Sequence, residues 1–293
     1  MSRRVLITGA TGLIGRGVVS ALDDKTEIFY TARSNQELPY DRFIPFDFSQ
    51  TSQISHFLSL LKPKVIVHTA AVTSIADVAQ NPTFAERVNV DAVREIANWC
   101  AANDARMIHF STDFVFEGKR ADYSETDVPS PISTYGRLKR QSELAVKDVL
   151  ENHFIIRPIL VYGHFKQIPR LNFPLLVIDK LSKGEVMFVT SDQVRMPTHV
   201  TDLASVVKEA LFSEHTGFLH IAGPELINMY DFALKVAGLF GLDPKLLRPV
   251  KTTNEIDGEH RPMTSGFNLQ KARTLFNYEP KSIEEGLRLL TFQ

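Results

Sequence analysis

Arg4-Val5-Leu6-Ile7-Thr8-Gly9-Ala10-Thr11-Gly12-Leu13-Ile14-Gly15 carries an apolar run straight into three glycines spaced G-x-x-G-x-x-G. The run over 4–8 predicts a buried strand, and residues 13–22 have helical periodicity, so the glycines make the turn between them. Glycine has no Cβ, which permits a tight turn and lets backbone approach a pyrophosphate closely. The first N–H groups of the helix then aim at the anion. The spacing differs from the more familiar G-x-G-x-x-G, and a glycine triplet alone also fits a simple packing turn. Its place directly after an apolar strand favours a dinucleotide site, with Gly9, Thr11, Gly12, Leu13, Ile14, Gly15 and Arg16 as candidate cofactor contacts.

Outward from this turn, short apolar runs alternate with amphipathic stretches. Strands are predicted at 4–8, 27–31, 42–46, 65–69, 106–110 and 154–157. Helices are predicted at 13–22, 51–61, 82–102 and 133–150. In the run 82–102, Ala92, Val93, Ile96, Ala97 and Cys100 share one face. Such alternation implies an α/β, doubly wound parallel Rossmann sheet covered on both faces. After Pro158 the pattern loosens: 166–174 reads as irregular and 251–261 as loop. Helices return at 201–212, 229–240 and 283–290, with a strand at 217–221. No repeat or low-complexity linker separates the halves. The expected organisation is a dinucleotide-binding domain over 1–157, rejoined by 199–223. A smaller, interleaved C-terminal substrate-binding lobe takes 158–198 and 224–293.

The end of the second strand bears on cofactor choice. An acidic residue there would accept hydrogen bonds from a ribose 2′-hydroxyl. Thr31-Ala32-Arg33-Ser34 has none. Arg33 suits a 2′-phosphate, and Arg16 can assist; the competing reading is two solvated surface arginines. NADPH is the preferred cofactor on this reading, with NAD as the second choice. Asp47, followed by Phe48, either hydrogen-bonds an adenine or is an ordinary loop aspartate.

The fifth strand ends in Ser111-Thr112-Asp113, and 23 residues after Thr112 comes Tyr135-Gly136-Arg137-Leu138-Lys139. A Tyr and a Lys at i and i+4 share a helix face. The ammonium would lower the tyrosine pKa and make it an acid/base near neutrality, while a hydroxyl on the neighbouring strand could hold a carbonyl. Y-x-x-x-K alone is common on solvated helices. Together with the glycine turn it marks Thr112, Tyr135 and Lys139 as candidate catalytic residues, the last two also touching the cofactor.

These motifs resemble the extended short-chain dehydrogenase/reductases. The stretches 109–118 (HFSTDFVFEG), 123–127 (YSETD), 157–163 (RPILVYG), 197–204 (PTHVTDLA) and Arg261-Pro262 resemble, more narrowly, the dTDP-4-dehydrorhamnose reductase family. The resemblance spans nearly the whole chain. It implies a 4-keto nucleotide sugar as substrate, reduced at C4, and a role for Thr112, Tyr135 and Lys139 in catalysis. It also implies Ala70, Ala71 and Pro158 beside the cofactor, and Thr73, Thr112, Asp113, Phe114, Arg195 and Arg261 beside the substrate. Residues 73–79 (TSIADVA) lack the acidic, lysine-containing run associated with Mg²⁺ in the bacterial reductases, so no metal is expected. Residues 195–199 (RMPTH) and 246–249 (LLRP) resemble instead the regulatory β subunits of methionine adenosyltransferase, which keep the fold and act as partner proteins. Leu138 stands where a small residue is usual. Two further readings therefore stay open: an epimerase or dehydratase of nucleotide sugars, against which Arg33 argues, and a non-catalytic NADP-binding regulatory subunit.

Bulk properties exclude other classes. The 293 residues carry 33 Lys and Arg against 34 Asp and Glu, a net charge of −1, without the basic footprint of a nucleic-acid binder. Cys100 is the only cysteine, which rules out an intrachain disulfide and fits a reducing cytoplasm. The basic start at Arg3-Arg4 precedes an apolar run broken by Thr8-Gly9, unlike a secretory signal. No apolar run approaches the roughly 20 residues of a membrane span. No G-x-S-x-G elbow supports a hydrolase. His68 and His109, in apolar strands, read as hydrogen-bonded core residues rather than metal ligands. A homodimer is compatible with the sequence.

Overall fold

The computed structural model describes residues 4–22, 27–34, 42–166, 168–253 and 260–290. At its centre is a seven-stranded sheet. In chain order its strands are β1 (Arg4–Thr8), β2 (Glu27–Ala32), β3 (Phe43–Pro45), β4 (Val65–His68), β5 (Arg106–Phe110), β6 (His153–Pro158) and β7 (Gly217–Ile221). In space they lie in the order β7-β6-β5-β4-β1-β2-β3. Every pairing is parallel. The order reverses between β1 and β4, and in such sheets a crevice opens beyond the strand C-termini at that reversal.

Alternation along the strands explains the two layers. Val5 and Ile7 enter one core with Val65, Val67, Ile108 and Ile156, covered by helices Leu13–Ala21 and Val200–Ala210. Leu6, Ile66, Met107 and Ile155 point to the opposite face and pack under Thr51–Leu61 and Ala92–Ala102. Strands buried on both faces are uniformly apolar, which is why the first half of the chain was readable.

The expected helix 82–102 is interrupted. Pro82–Glu86 and Ala92–Ala102 are α-helical, but Arg87–Asp91 between them is a π-turn. A short helix, Ile75–Gln80, precedes it, capped by the Ser74 side chain accepting from the Asp77 amide at 3.2 Å.

The second half departs further from the sequence reading. Helix Phe173–Ser182 begins inside a stretch expected to be irregular. Lys119–Tyr123, Val194–Arg195, Ile227–Asn228 and Thr264–Phe267 form a separate four-stranded sheet, and Met187–Thr190 pairs with Leu247–Val250. Helix Gln270–Phe276 was also not expected. A third core of Val177, Leu181, Phe232, Val236, Ile283 and Leu287 holds the helices of this half together. Part of the expected loop 251–261 lies outside the described residues. Among the described residues no helix is long and apolar enough to cross a membrane.

Candidate active site

The turn after β1 is built as its glycines require. Gly9 has φ +63°, a conformation that costs residues with a Cβ but not glycine. A Cβ there would also stand 2.7 Å from the Ala70 amide nitrogen. The Gly12 amide donates to Gly9 O at 2.9 Å, closing the turn. Helix Leu13–Ala21 starts at Gly12 with no side chain capping its first amides. A backbone cradle with open N–H groups at a helix start fits a dinucleotide pyrophosphate.

Gly12, Leu13, Ile14 and Gly15 form one wall of a cleft of about 570 Å³ beyond the strand C-termini. Ala70, Ala71 and Thr73, after β4, form a second part of it. Thr112, Asp113 and Phe114 follow from β5, Tyr135 and Lys139 from helix Thr134–Lys147, and Pro158 from β6. Arg195 and Arg261 close the far side. Thus the candidate catalytic residues, the candidate substrate residues and most of the candidate cofactor residues share one cleft.

The remaining candidates lie elsewhere. Gly9 and Thr11 shape the turn without lining the cleft. Arg16 is buried, and its Nε donates to Thr11 O at 3.1 Å. Arg33 is exposed just beyond β2. Asp47 Oδ1 accepts from the Ser49 amide at 2.9 Å, so it braces its own loop. Phe48 is 4% exposed and packs edge-on to Phe46, Phe57 and His68. Its ring belongs to the core, which leaves its backbone as what it can offer an adenine.

Helix Thr134–Lys147 is capped by Ser133, which accepts from the Gly136 amide at 3.0 Å. A Cβ on Gly136 would be 2.2 Å from Phe114 O, so this glycine lets the helix start press against the β5 extension. That approach sets Tyr135 edge-on to Phe114, ring centroids 5.8 Å apart. Thr112 Oγ1 donates to Asp113 Oδ1 at 3.1 Å and accepts from the Phe114 amide at 3.2 Å.

The electrostatics differ from the expectation that Lys139 lowers the Tyr135 pKa. Burial foremost, and then the Asp113 charge, hold the Tyr135 phenol above its ordinary range, with hydrogen bonding to Thr112 acting the other way. Lys139 is itself lowered to about 8 by burial, opposed by the charge of Glu143. Both groups are therefore protonated at neutral pH, which suits a tyrosine that gives a proton rather than takes one. Asp113 is raised, first by burial, against the Arg195 charge and the hydrogen bond from Thr112.

Asp113 and Arg195, both expected to face substrate, also face each other, Nε to Oδ2 at 3.9 Å. Arg195 Nη2 donates to Pro262 O at 2.5 Å, bracing the segment that carries Arg261.

His68 and His109 stack with centroids 5.8 Å apart. Burial lowers the first to about 3 and the second well below its usual value. Ser142 Oγ donates to Lys139 O, so His109 Nε2 must donate to Ser142 Oγ, at 2.9 Å. Among the described residues no group of three or more His, Cys, Asp and Glu is placed to hold a metal ion.

Two residues that shape the cleft carry no catalytic motif in the sequence. Asn89, inside the π-turn, accepts from the Val72 amide and donates to Val72 O, each at 2.8 Å. It clamps the wall 70–73, while its neighbour Val90 packs with Tyr135 and Leu138. The available signal was a short polar residue inside an expected helix, where such side chains compete with the backbone. Leu160, with φ +38°, also lines the cleft; strained backbone of this kind gathers at functional sites.

Comparison with known proteins identifies the family. The family model for the RmlD substrate binding domain matches residues 3–292. The mouse (Mus musculus) methionine adenosyltransferase 2 subunit beta is 32% identical, over 94% of this chain and 83% of that protein. The dTDP-4-keto-6-deoxy-D-glucose reductase of Streptomyces niveus is 31% identical, over 89% of this chain and 87% of that one. The crystal structure of dTDP-4-dehydrorhamnose reductase from Bacillus anthracis in complex with NADP superposes with a TM-score of 0.86 at 27% identity, covering 99% of each chain. The chain belongs to the RmlD substrate binding domain family.

Proposed function

We propose that this chain is an NADPH-dependent reductase of a 4-keto nucleotide sugar. The observation that carries the reading is the convergence of Thr112, Tyr135 and Lys139 on one cleft whose other wall is the open glycine turn. The kinship with named reductases, and with a reductase structure holding NADP, supports it. When bound, reduced nicotinamide dinucleotide supplies a hydride to the ketone carbon.

The chain's own residues do the rest. The open amides at the start of helix Leu13–Ala21 bind the pyrophosphate. Arg33, exposed at the end of β2 with no carboxylate in 31–34, pairs with the 2′-phosphate and so selects NADPH, with NAD as the weaker alternative. Tyr135, held protonated by burial, gives its proton to the oxygen at C4 as charge develops there. General acid catalysis of this kind is worth about 10²–10⁴-fold. Thr112 orients the ketone oxygen, and Lys139 holds the ribose and offsets the phenolate that Tyr135 leaves behind. Segments 158–198 and 224–293 supply the sugar side of the cleft, through Arg195 and Arg261. The same reading takes the protein as cytoplasmic and is compatible with a homodimer.

The test is loss of reduced-nicotinamide absorbance on adding dTDP-4-keto-6-deoxy sugars, with one NADPH consumed per product formed. Turnover without net NADPH consumption would point instead to an epimerase or dehydratase. The identity with the methionine adenosyltransferase subunit favours a second reading, a nucleotide-binding regulatory subunit. No reduction of any nucleotide-sugar ketone, together with a stoichiometric protein partner, would establish that reading in place of the first.

A further inference from the structure

Tyr135, Lys139 and Glu143 form one stripe, four residues apart, on helix Thr134–Lys147. The Y-x-x-x-K motif stops at Lys139, yet Glu143 is 0% exposed. A buried carboxylate is tolerated only when it is well paired. Ser111 Oγ donates to Oε1 at 2.6 Å and Arg157 Nε donates to the same oxygen at 2.7 Å. Arg157 Nη2 donates to Oε2 at 2.8 Å and Arg140 Nη1 at 3.0 Å. Ser111 directly precedes Thr112 at the end of β5, and Arg157 directly precedes Pro158 at the end of β6. One carboxylate therefore joins two strand ends that form the cleft to the helix that carries Tyr135 and Lys139.

The far side of this network is fixed as well. The Arg157 guanidinium lies over the rings of Phe116 and Phe218, 5.1 and 4.3 Å from their centroids. Its Nη1 donates to His220 Nε2 at 3.2 Å, which leaves His220 Nδ1 to donate to Tyr123 O at 3.1 Å. Among the described residues, the charged and titratable groups interacting with Lys139 are His68 from β4 and His109 from β5, both neutral, and Glu143 from its own helix, with Tyr135 one turn before it. Arg140 and Arg157 face Glu143 rather than Lys139.

We propose that Glu143 is a positioning residue of this site. It sets the ends of β5 and β6 against the Tyr135–Lys139 helix, and its negative charge holds Lys139 as an ammonium at neutral pH. The catalytic consequence rests on the reductase reading above; the effect on Lys139 does not. Side chains at i and i+4 are neighbours on the helix, and two unit charges about 6 Å apart in a medium of effective dielectric about 20 would interact by about two pH units. The Glu143 oxygens are turned toward Arg140 and Arg157, so the separation from the ammonium is larger than this and removal of the charge is expected to lower Lys139 by about one pH unit.

The test is an NMR titration of protein carrying ¹³C at lysine Cε, with the Lys139 signal assigned by its loss in Lys139→Met. Wild type is expected to titrate near 8, and Glu143→Gln about one pH unit lower. The double variant Glu143→Gln, Arg157→Met removes the guanidinium that Glu143→Gln alone leaves buried and unpaired, protects the fold, and, because a positive charge goes as well, is expected to shift Lys139 in the same direction by less. Lys139 titrating within about 0.3 unit of wild type in both variants would overturn the proposal. No turnover is needed for this readout, so failure of the reductase assay and failure of this proposal are separate results. In a protein that turns over, the alkaline limb of the kcat–pH profile moves with the titration. Ser111→Ala, which keeps the charge, is expected to leave the titration in place and to cut kcat about tenfold; full kcat there would refute the alignment of the β5 end by Glu143.

Discussion

Gly15→Ala probes the cofactor cradle through a single added carbon. A Cβ built on Gly15 lies 2.3 Å from Gly9 O and 2.8 Å from Ala10 Cα. Comfortable contacts between heavy atoms are about 3.5 Å, so turn and helix must part by roughly 1 Å. Both obstructing atoms are backbone, and no side-chain rotation relieves them. Overpacking of this kind costs about 1–3 kcal/mol, offset by about 0.5–1 kcal/mol from replacing a helical glycine. The net expectation is a loss of about 0.5–2 kcal/mol in urea unfolding. The movement also carries the helix-start amides away from the pyrophosphate. A charge-assisted hydrogen bond is worth about 1.5–3 kcal/mol, so NADPH binding is expected to weaken by about tenfold to a hundredfold. Fluorescence titration with NADPH reads the second effect. The same added carbon on Gly12 meets only Gly9 O, at 3.3 Å, and should cost less stability. Gly15→Ala binding NADPH within threefold of wild type, with unchanged unfolding, would refute the argument that this turn is packed to receive a phosphate.

Three further outcomes are expected. Arg33→Ala should weaken NADPH binding about tenfold and leave NADH binding nearly unchanged, if the proposed charged contact to the 2′-phosphate is what it removes; equal losses for both cofactors would show that Arg33 supports the turn instead. Lys139 is charged below about pH 8 and neutral above it, so kcat should be flat below that value and fall as pH rises through it; a rate that climbs across the same range would contradict an ammonium role. Asn89→Leu removes both hydrogen bonds to Val72; each buried backbone group left unpaired costs about 1–3 kcal/mol, so thermal unfolding should shift clearly downward and NADPH binding weaken, whereas wild-type stability would mean that the wall 70–73 needs no clamp.

The two halves of the chain were unequally legible, and the reasons are physical. Val5-Leu6-Ile7, Val65-Ile66-Val67 and Phe154-Ile155-Ile156 are buried on both faces of a parallel sheet, so they appear as unbroken apolar runs between turn signals. Val194–Arg195 and Ile227–Asn228 are two-residue strands, too short to show any period. Helix Phe173–Ser182 was hidden by Pro174, which reads as a breaker unless it is placed in the first turn, where its missing amide costs nothing. Thr112, Tyr135 and Lys139 stand out in the sequence because each belongs to a spaced motif, and the fold brings all three to one cleft. Glu143 does not, because a glutamate on a charged helix looks solvated until Arg157 is folded against it. The pairing of Arg195 with Asp113 was invisible for the same reason: 82 positions separate them, and only the small second sheet brings them within 3.9 Å.

On the proposed mechanism, reduced nicotinamide passes hydride to the sugar ketone while Tyr135 supplies the proton. Incubation of wild type and Tyr135→Phe with NADPH deuterated at nicotinamide C4, on both faces in separate samples, and a dTDP-4-keto-6-deoxy sugar tests it directly, with mass spectrometry and NMR of the recovered sugar. Deuterium at sugar C4 from one face of NADPH is expected with wild type. Tyr135→Phe should form product about 10²–10⁴-fold more slowly while binding NADPH within a few-fold of wild type. Unlabelled sugar from both samples, or wild-type turnover by Tyr135→Phe, would contradict it.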